Sequence, residues 1–356
     1  MIPRWKLVRE LKRLKMQFSQ WYWFAFGPLL RHLYDLNRTK TLKVSKGRIE
    51  LRRDAAIVLI YQPTGLLDSL FLELDHLTAN GFSPIVVSNA RLSDADLQRA
   101  ISHASVIIQR PNYGYDFGGY RDGILYLKET GIKLENLIVK NDSIWFPLTP
   151  DCSLLKDARA SKADIYGIFY NRIEKQEHRS HIQSYFYRFG PGLTQSPTFL
   201  QYWKTITLTN NKYMVIRQNE IKLTHWFKKR GYTIDYLHDL KDMQAAMASL
   251  SDNDLRVVLQ YQGLVDTRHA TALSHLLSMP ADDEWRKAAD KLISERGIGK
   301  YYLISHPLIL FGKMSSPFLK KDRQPMYRYQ RREIMELGLD ERIQEPIRTE
   351  IREWDA

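Results

Sequence analysis

The sequence predicts an α/β fold, a mostly parallel sheet flanked by helices, with a basic amphipathic helical segment ahead of it. Three observations carry that expectation. Between residues 55 and 142, β-branched apolar runs of strand length alternate with stretches of helical spacing. Each run ends in polar residues, and the carboxyl ends of strands are where open parallel sheets bind ligands. Residues 1–55 hold fourteen Lys or Arg against four Asp or Glu, while the rest of the chain is close to neutral.

The first segment, residues 1–54, opens MIPRWKLVRELKRLKMQFSQWYWFAFGPLLRHLY. Leu7, Leu11, Leu14 and Phe18 share one helical face, Lys6, Arg9, Arg13 and Lys15 lie elsewhere, and Trp21, Tyr22, Trp23 and Phe24 follow. A basic amphipathic helix with Trp and Tyr suits the headgroup layer of an anionic membrane, so residues 1–30 are expected to contact that surface. A helix packed on the domain with solvated charges is the alternative. The longest apolar run, Trp21 to Leu30, falls short of the roughly 20 residues a spanning helix needs. Lys and Arg interrupt any secretory-signal pattern, and the single Cys152 suits a reducing cytosol. No base-reading motif accompanies the basic charge, so no nucleic-acid partner is expected.

Strands are expected at AAIVLIYQ (55–62), PIVVSN (84–89), SVIIQR (105–110) and LENLIVKND (134–142). Between them, helices are expected over 66–81, ending at Asn80-Gly81, over 93–104, and over Tyr120–Thr130. Further on, DIYGIFY (164–170) and SYFYRFG (184–190) read as strands; 198–206, 219–231 and 283–296 read as helices. A charged helical tail follows over 323–356.

Tyr61, Asn89, the stretch RPNYGYDFGGYRDG (110–123) and Asn141-Asp142-Ser143 all fall at strand carboxyl ends and therefore converge on one crevice. Within the stretch, Asn112-x-Gly114 ends a strand and Gly118-Gly119 opens a helix whose free N–H groups favour phosphate oxygens. Asp116 could accept hydrogen bonds from a ribose or sugar, and Arg121 could face a diphosphate. Tyr113 and Tyr115 could stack on a base or sugar. Asp142 could hold Mg2+ or Mn2+, or bind a sugar hydroxyl; an Asx-turn closing the strand is the plain alternative. Two Asp-x-Asp triplets, Asp94-Ala-Asp96 and Asp252-Asn-Asp254, are helix starts capped by Ser93 and Ser251. Glu220 stands at an expected helix start, where a carboxylate either complements the helix dipole or serves as a base. His178, His181, His225, His238 and His306 lack metal-binding spacing.

Taken together, RPNYGYDFGGYRDGI, LIVKNDSIWFPL, HIQSYFYRFG, FLQYW, QNEIKLTHWFKKRGY, HPL and PFLKKD resemble the rhamnan synthesis protein F family of bacterial polysaccharide glycosyltransferases, over roughly residues 55 to 322. The resemblance implies a GT-A-like, Rossmann-type domain with a nucleotide-binding half (55–150) and an acceptor and catalytic half (151–322). It implies an inverting transferase that takes a deoxysugar from a nucleotide-diphosphate donor, dTDP-L-rhamnose by family likeness, to a lipid-linked glycan of O-antigen or rhamnan type. Other polysaccharide-assembly enzymes become expected partners, and the cytoplasmic face of the inner membrane the expected place. Asn112, Gly114 and the helix from Gly118 match the family's nucleotide and diphosphate turn. Asn141-Asp142-Ser143 falls where an Asp-x-Asp holds Mg2+ or Mn2+, with one carboxylate of two, which leaves the metal open. Glu220 falls where inverting members place their base, and His181, Gln183 and His306 become acceptor or donor contacts. The competing expectation is a non-catalytic sugar-nucleotide-binding or scaffold subunit of an assembly complex.

Overall fold

The computed structural model describes residues 4–355. Of the expected membrane-surface segment, residues 1–3 lie outside the described residues, as does the Lys15 side chain. The remainder begins with one long helix, α1 (Arg4–Thr41). Leu7, Leu11, Leu14, Phe18, Tyr22, Phe26, Leu29, Leu33 and Leu36 recur every three or four residues along it, each between 40% and 70% exposed. That spacing keeps them on one side. Residues a half-turn away, Arg31, Tyr34, Asp35 and Arg38, dock on the domain.

The sheet contains β1 (Lys43–Lys46), β2 (Asp54–Ile60), β3 (Ser83–Ser88), β4 (Val106–Gln109) and β5 (Asn136–Asn141). A two-residue strand, β6 (Ile144–Trp145), forms a separate small sheet. The main sheet resumes with β7 (Ile165–Asn171), β8 (His181–Ile182), β9 (Phe186–Phe189) and β10 (Ile234–Asp239), and β11 (Leu319–Lys320) pairs with β6. The strand order is β1-β4-β3-β2-β5-β9-β7-β10, with β8 beside β7. The strands β4, β3, β2 and β5 are parallel, as the alternation with helices requires. Antiparallel pairing enters at β1, at β8, and at β9 between β5 and β7. Three crossover helices serve the parallel run: α2 (Asp68–Ala79), α3 (Asp94–His103) and α4 (Tyr115–Glu129).

Alternate residues of β2 separate two cores, one on each face of the sheet. Ala56, Val58 and Ile60 join α2 and the C-terminal helices; Ala55, Ile57 and Leu59 join α4 and the aromatic cluster of Phe189, Phe199, Trp203 and Phe227. Ser93 caps α3 by accepting from the Asp96 N–H, and Ser251 caps the helix Asp252–Val265 through the Asp254 N–H. Both Asp-x-Asp triplets are thus helix starts. β1, β10 and most of the helices over 240–277 escaped the sequence expectation. β1 is a largely exposed edge strand, KVSK, with no apolar alternation to mark it.

Candidate functional site

β2 and β5 lie side by side and parallel, so their carboxyl ends open together. Asp142 leaves β5 with its N–H bonded to the Leu59 carbonyl. Its Oδ2 accepts from the Tyr61 N–H at 2.9 Å and from Gln62 Nε2 at 3.2 Å, which fixes the carboxylate across the two strand ends. The Asx-turn is also present, built by the preceding residue: Asn141 Oδ1 accepts from the Ser143 N–H at 3.2 Å and from Ser143 Oγ. Asn141 Nδ2 donates to Asp116 Oδ2 at 2.9 Å, joining the first turn of α4 to the end of β5. Tyr61 itself is 55% exposed at this rim, and Asn112 is exposed at the turn before α4.

The rest of RPNYGYDFGGYRDG is placed differently from expectation. Gly114 is the N-cap of α4 at φ +80°, so the helix starts at Tyr115 and not near Gly118. Gly118 and Gly119 are interior helix positions that let α4 lie close: a Cβ on Gly118 would stand 2.1 Å from the Tyr113 carbonyl, and one on Gly119 2.2 Å from Leu59 Cδ1. Their backbone is not free for a diphosphate. Arg121 is buried in the second turn, donating to the Trp203 carbonyl and pairing with Asp35 of α1 at 2.7 Å. It is turned away from the crevice. Tyr113 lies against Tyr34 and donates to the Leu208 carbonyl, and Tyr115 donates to the Asn210 carbonyl, so neither phenol is unengaged. Asn89 is buried and accepts from Arg110 at 2.6 Å.

Those residues form a second, structural centre. The fully buried Asp122 receives Tyr34 Oη at 2.6 Å, Arg110 Nε at 2.7 Å and Arg38 Nε at 3.2 Å. Removing one partner of such a desolvated cluster typically costs about 3–5 kcal/mol. Half of the motif therefore binds α1 to the domain, and Asp116 is the residue of it that bonds to the end of β5, while Asn112 is exposed at the turn.

Glu220 belongs to a wide helical turn, Ile216–Glu220, that runs without a break into the helix Ile221–Lys228. It is thus not at a helix N-terminus, and the dipole account of it falls away. The extra residue in such a π-turn rotates the following side chains, and these turns are frequent at functional sites. Glu220 Oε1 accepts from the Ser184 N–H at 3.3 Å. Burial, then the charge of Asp142, pushes the Asp116 carboxyl upward, and Glu220 adds to the effect. The buried Tyr120 phenol, which donates to the Ser184 carbonyl, feels Asp116, Glu220 and Asp142 together. Three carboxylates from α4, the end of β5 and the wide turn therefore share one field.

Two lysines enter the same space from the distant segment PFLKKD. Lys320 stands opposite Ile144 in the β6–β11 pair, and the Lys321 N–H bonds the Ser143 carbonyl. Lys320 interacts with Asp116, Asp322 and Glu220, and Lys321 with Glu350, Asp142 and Glu73. In the sequence, PFLKKD carries part of the family resemblance, but its lysines stand far along the chain from Asp116, Asp142 and Glu220. The signal was a Lys pair whose alternation sends one side chain to each face.

Of the remaining candidates, His181 is buried with Nδ1 2.7 Å from the Arg179 carbonyl. His306 is fully buried and accepts the Leu308 N–H on Nδ1, a helix cap and not a substrate contact. Gln183 lines a cavity of about 380 Å3 with Arg172, Tyr302 and Tyr327. A cavity of about 590 Å3 opens between the aromatic part of α1 (Trp21, Trp23, Phe24) and Met214 and Gln218 of the segment that carries Glu220. Neither cavity includes Asp142, which is partly buried. Among the described residues, no group of three His, Cys, Asp or Glu side chains could hold a metal ion. Asp142 is the single carboxylate of its turn, and its Oδ2 is bonded to Tyr61 and Gln62, so a divalent cation could take Oδ1 and would need its other ligands from a bound donor.

The chain matches the family described as Rhamnan synthesis protein F over residues 84–261. It is 37% identical to the uncharacterized protein y4gN of Sinorhizobium fredii over all of this chain and 93% of that one. The virulence protein VirA of Vibrio anguillarum is 26% identical over 43% of this chain, which spans about half (48%) of that relative's length. A mannosyltransferase from Pyrobaculum calidifontis, solved with GDP-Man and Mn2+, covers 94% of this chain and 92% of its own. At 10% identity and a TM-score of 0.31, it is too distant to lend its residues or ligands. The matched stretch includes Asp116, Asp142 and Glu220, and the full-length likeness to y4gN extends over Lys320: the chain belongs to the rhamnan synthesis protein F family.

Proposed function

We propose that the protein is an inverting, GT-A-like glycosyltransferase of polysaccharide synthesis. It takes a deoxysugar, L-rhamnose from dTDP-L-rhamnose, to a lipid-linked glycan acceptor. The observation that carries this is the meeting of Asp116, Asp142 and Glu220 at the carboxyl ends of β2 and β5, in a chain of this family. In the reaction, Glu220 removes the proton from an acceptor hydroxyl, whose oxygen bonds to the anomeric carbon. The bond from that carbon to the diphosphate breaks on the opposite face, and its electron pair leaves with the nucleoside diphosphate. Asp142, fixed by Tyr61 and Gln62, orients the donor sugar, and Asp116 with Asn141 accepts from a ribose or sugar hydroxyl. The exposed Tyr61 ring offers a face for the base. Mg2+ or Mn2+ would need donor phosphates to complete its shell here, and no step above runs through it.

The acceptor's lipid end suits a peripheral position on the inner face of the cytoplasmic membrane, held by the apolar stripe of α1. The cavity between α1 and the Glu220 segment supports an approach from that side. No helix among the described residues is long and apolar enough to cross a membrane. A non-catalytic sugar-nucleotide-binding or scaffold role is favoured by the single carboxylate of Asn141-Asp142-Ser143, where the metal-binding motif has two.

Transfer from a panel of nucleotide sugars to lipid-linked acceptors separates the two. The enzyme gives product with wild type, and Glu220→Gln lowers its rate by roughly 100-fold or more. Near wild-type transfer by Glu220→Gln removes the base assignment, and donor binding without transfer to any acceptor favours the scaffold.

A further inference from the structure

The crevice has three carboxylates and must still accommodate a diphosphate. β11 supplies the counter-charge. Lys320 and Lys321 are consecutive, so they leave the strand on opposite faces. Lys321 is fully committed: its Nζ donates to Ser69 Oγ at 3.0 Å, close to Glu350 and Glu73. Lys320 is the contrast. It is largely enclosed, yet among the described residues its ammonium makes no ion pair and no hydrogen bond. The largest charges it feels are Asp116 from α4, Asp322 beyond β11, Glu220 from the wide turn, and Lys212 from the helix before the turn. Burial draws the Lys320 amine downward, and the three acids oppose that. The side chain is partly buried and its ammonium is still reached by solvent, so it is open to an anion that enters the crevice.

We propose that Lys320 is the diphosphate-binding cation of this site, taking the charge of the leaving nucleoside diphosphate where the described residues hold no complete metal-ligand set. The proposal rests on the glycosyltransferase reading. As the anomeric carbon–oxygen bond breaks, the electron pair stays on the diphosphate oxygen, and the Lys320 ammonium hydrogen-bonds that oxygen. The lysine takes no part in the proton balance, which Glu220 and the acceptor hydroxyl complete.

The test is calorimetric titration of the full chain with dTDP, UDP and GDP in EDTA, beside the matching nucleosides. Wild type binds at least one diphosphate without divalent ion. Lys320→Met weakens that binding by roughly 10- to 100-fold, leaves the nucleoside's binding unchanged, and Lys320→Arg restores most of the loss. Lys320→Gln serves if the Met variant melts early. Unchanged diphosphate binding by both neutral variants overturns the role of Lys320 and leaves the transferase reading intact. Wild-type binding only with added Mn2+ also overturns it, since a metal then supplies the charge. Binding of no nucleotide or nucleotide sugar, with or without Mn2+, overturns both.

Discussion

His306 shows how a residue's surroundings decide its chemistry. Its ring is fully buried, Nδ1 accepts the Leu308 N–H at 3.1 Å, and Nε2 lies 3.3 Å from Glu333 Oε2. Burial lowers its pKa from 6.5 to about 4, with Asp254 opposing. The folded-state value is depressed, so its stabilisation is complete above 6.5 and lost as pH falls through about 4. Protonation of Nδ1 would also set a hydrogen against the Leu308 N–H. Urea unfolding at pH 7 and pH 4 is expected to show wild type losing up to about 3 kcal/mol from this group, and His306→Asn losing less over the same interval. Among the crevice residues, Asp142 was legible because strand, turn and carboxylate are adjacent in sequence. Arg121 was misjudged because the facing of a helix depends on which side packs against the sheet, and here the glycines of α4 take that side.

At the scale of elements, α1 has two unlike sides. One is fixed to the domain through Asp122, Arg121 and the carbonyls of Thr205 and Ile206. The other leaves an apolar stripe in solvent from Leu7 to Leu36, about 44 Å at the usual helical rise. Apolar area on that scale, beside a strongly basic segment, fits the surface of an anionic bilayer. In flotation assays, full-length protein is expected to bind phosphatidylglycerol vesicles and to bind phosphatidylcholine vesicles weakly. Because both positions are exposed, Phe18→Ser with Leu29→Ser should cut binding by roughly tenfold or more without unfolding the chain. Equal binding by that variant, or concentration-dependent dimerisation in place of vesicle binding, would refute the anchoring role. Periodicity revealed both faces as far as Phe18; the docking of Tyr34, Asp35 and Arg38 was invisible, since their partners Asp122, Arg121 and Glu129 are 84 to 91 residues away.

Across the whole molecule, the C-terminal residues complete the core beside the crevice. The helix Ile347–Asp355 buries Ile347 and Ile351 and sends Glu350 to the Ser69 N–H at 2.7 Å, to Ser69 Oγ at 2.7 Å and to Trp145 Nε1 at 2.8 Å. The charged alternation that suggested a tail conceals this apolar side. Glu350 thereby joins the start of α2, the β6–β11 pair and Lys321 in one buried group. Glu350→Ala leaves three donors unpaired and should destabilise the fold by about 3 kcal/mol or more, read as a lower urea midpoint with unchanged slope. An unchanged midpoint would show that these bonds are replaced by water.

What the sequence determined by itself was local: the parallel strands, their crossover helices, the caps at Ser93 and Ser251, and the polar strand end that carries Asn141 and Asp142. Each follows from periodicity and side-chain chemistry within a few residues. Only the tertiary structure decided which residues of RPNYGYDFGGYRDG face the crevice and which staple α1. It alone also brought Lys320 and Glu220 to Asp116. Those placements depend on pairing across about 180 residues between β6 and β11, and on packing of α4 against β2. Neither leaves a periodic trace, because the energy that fixes them comes from contacts between distant segments.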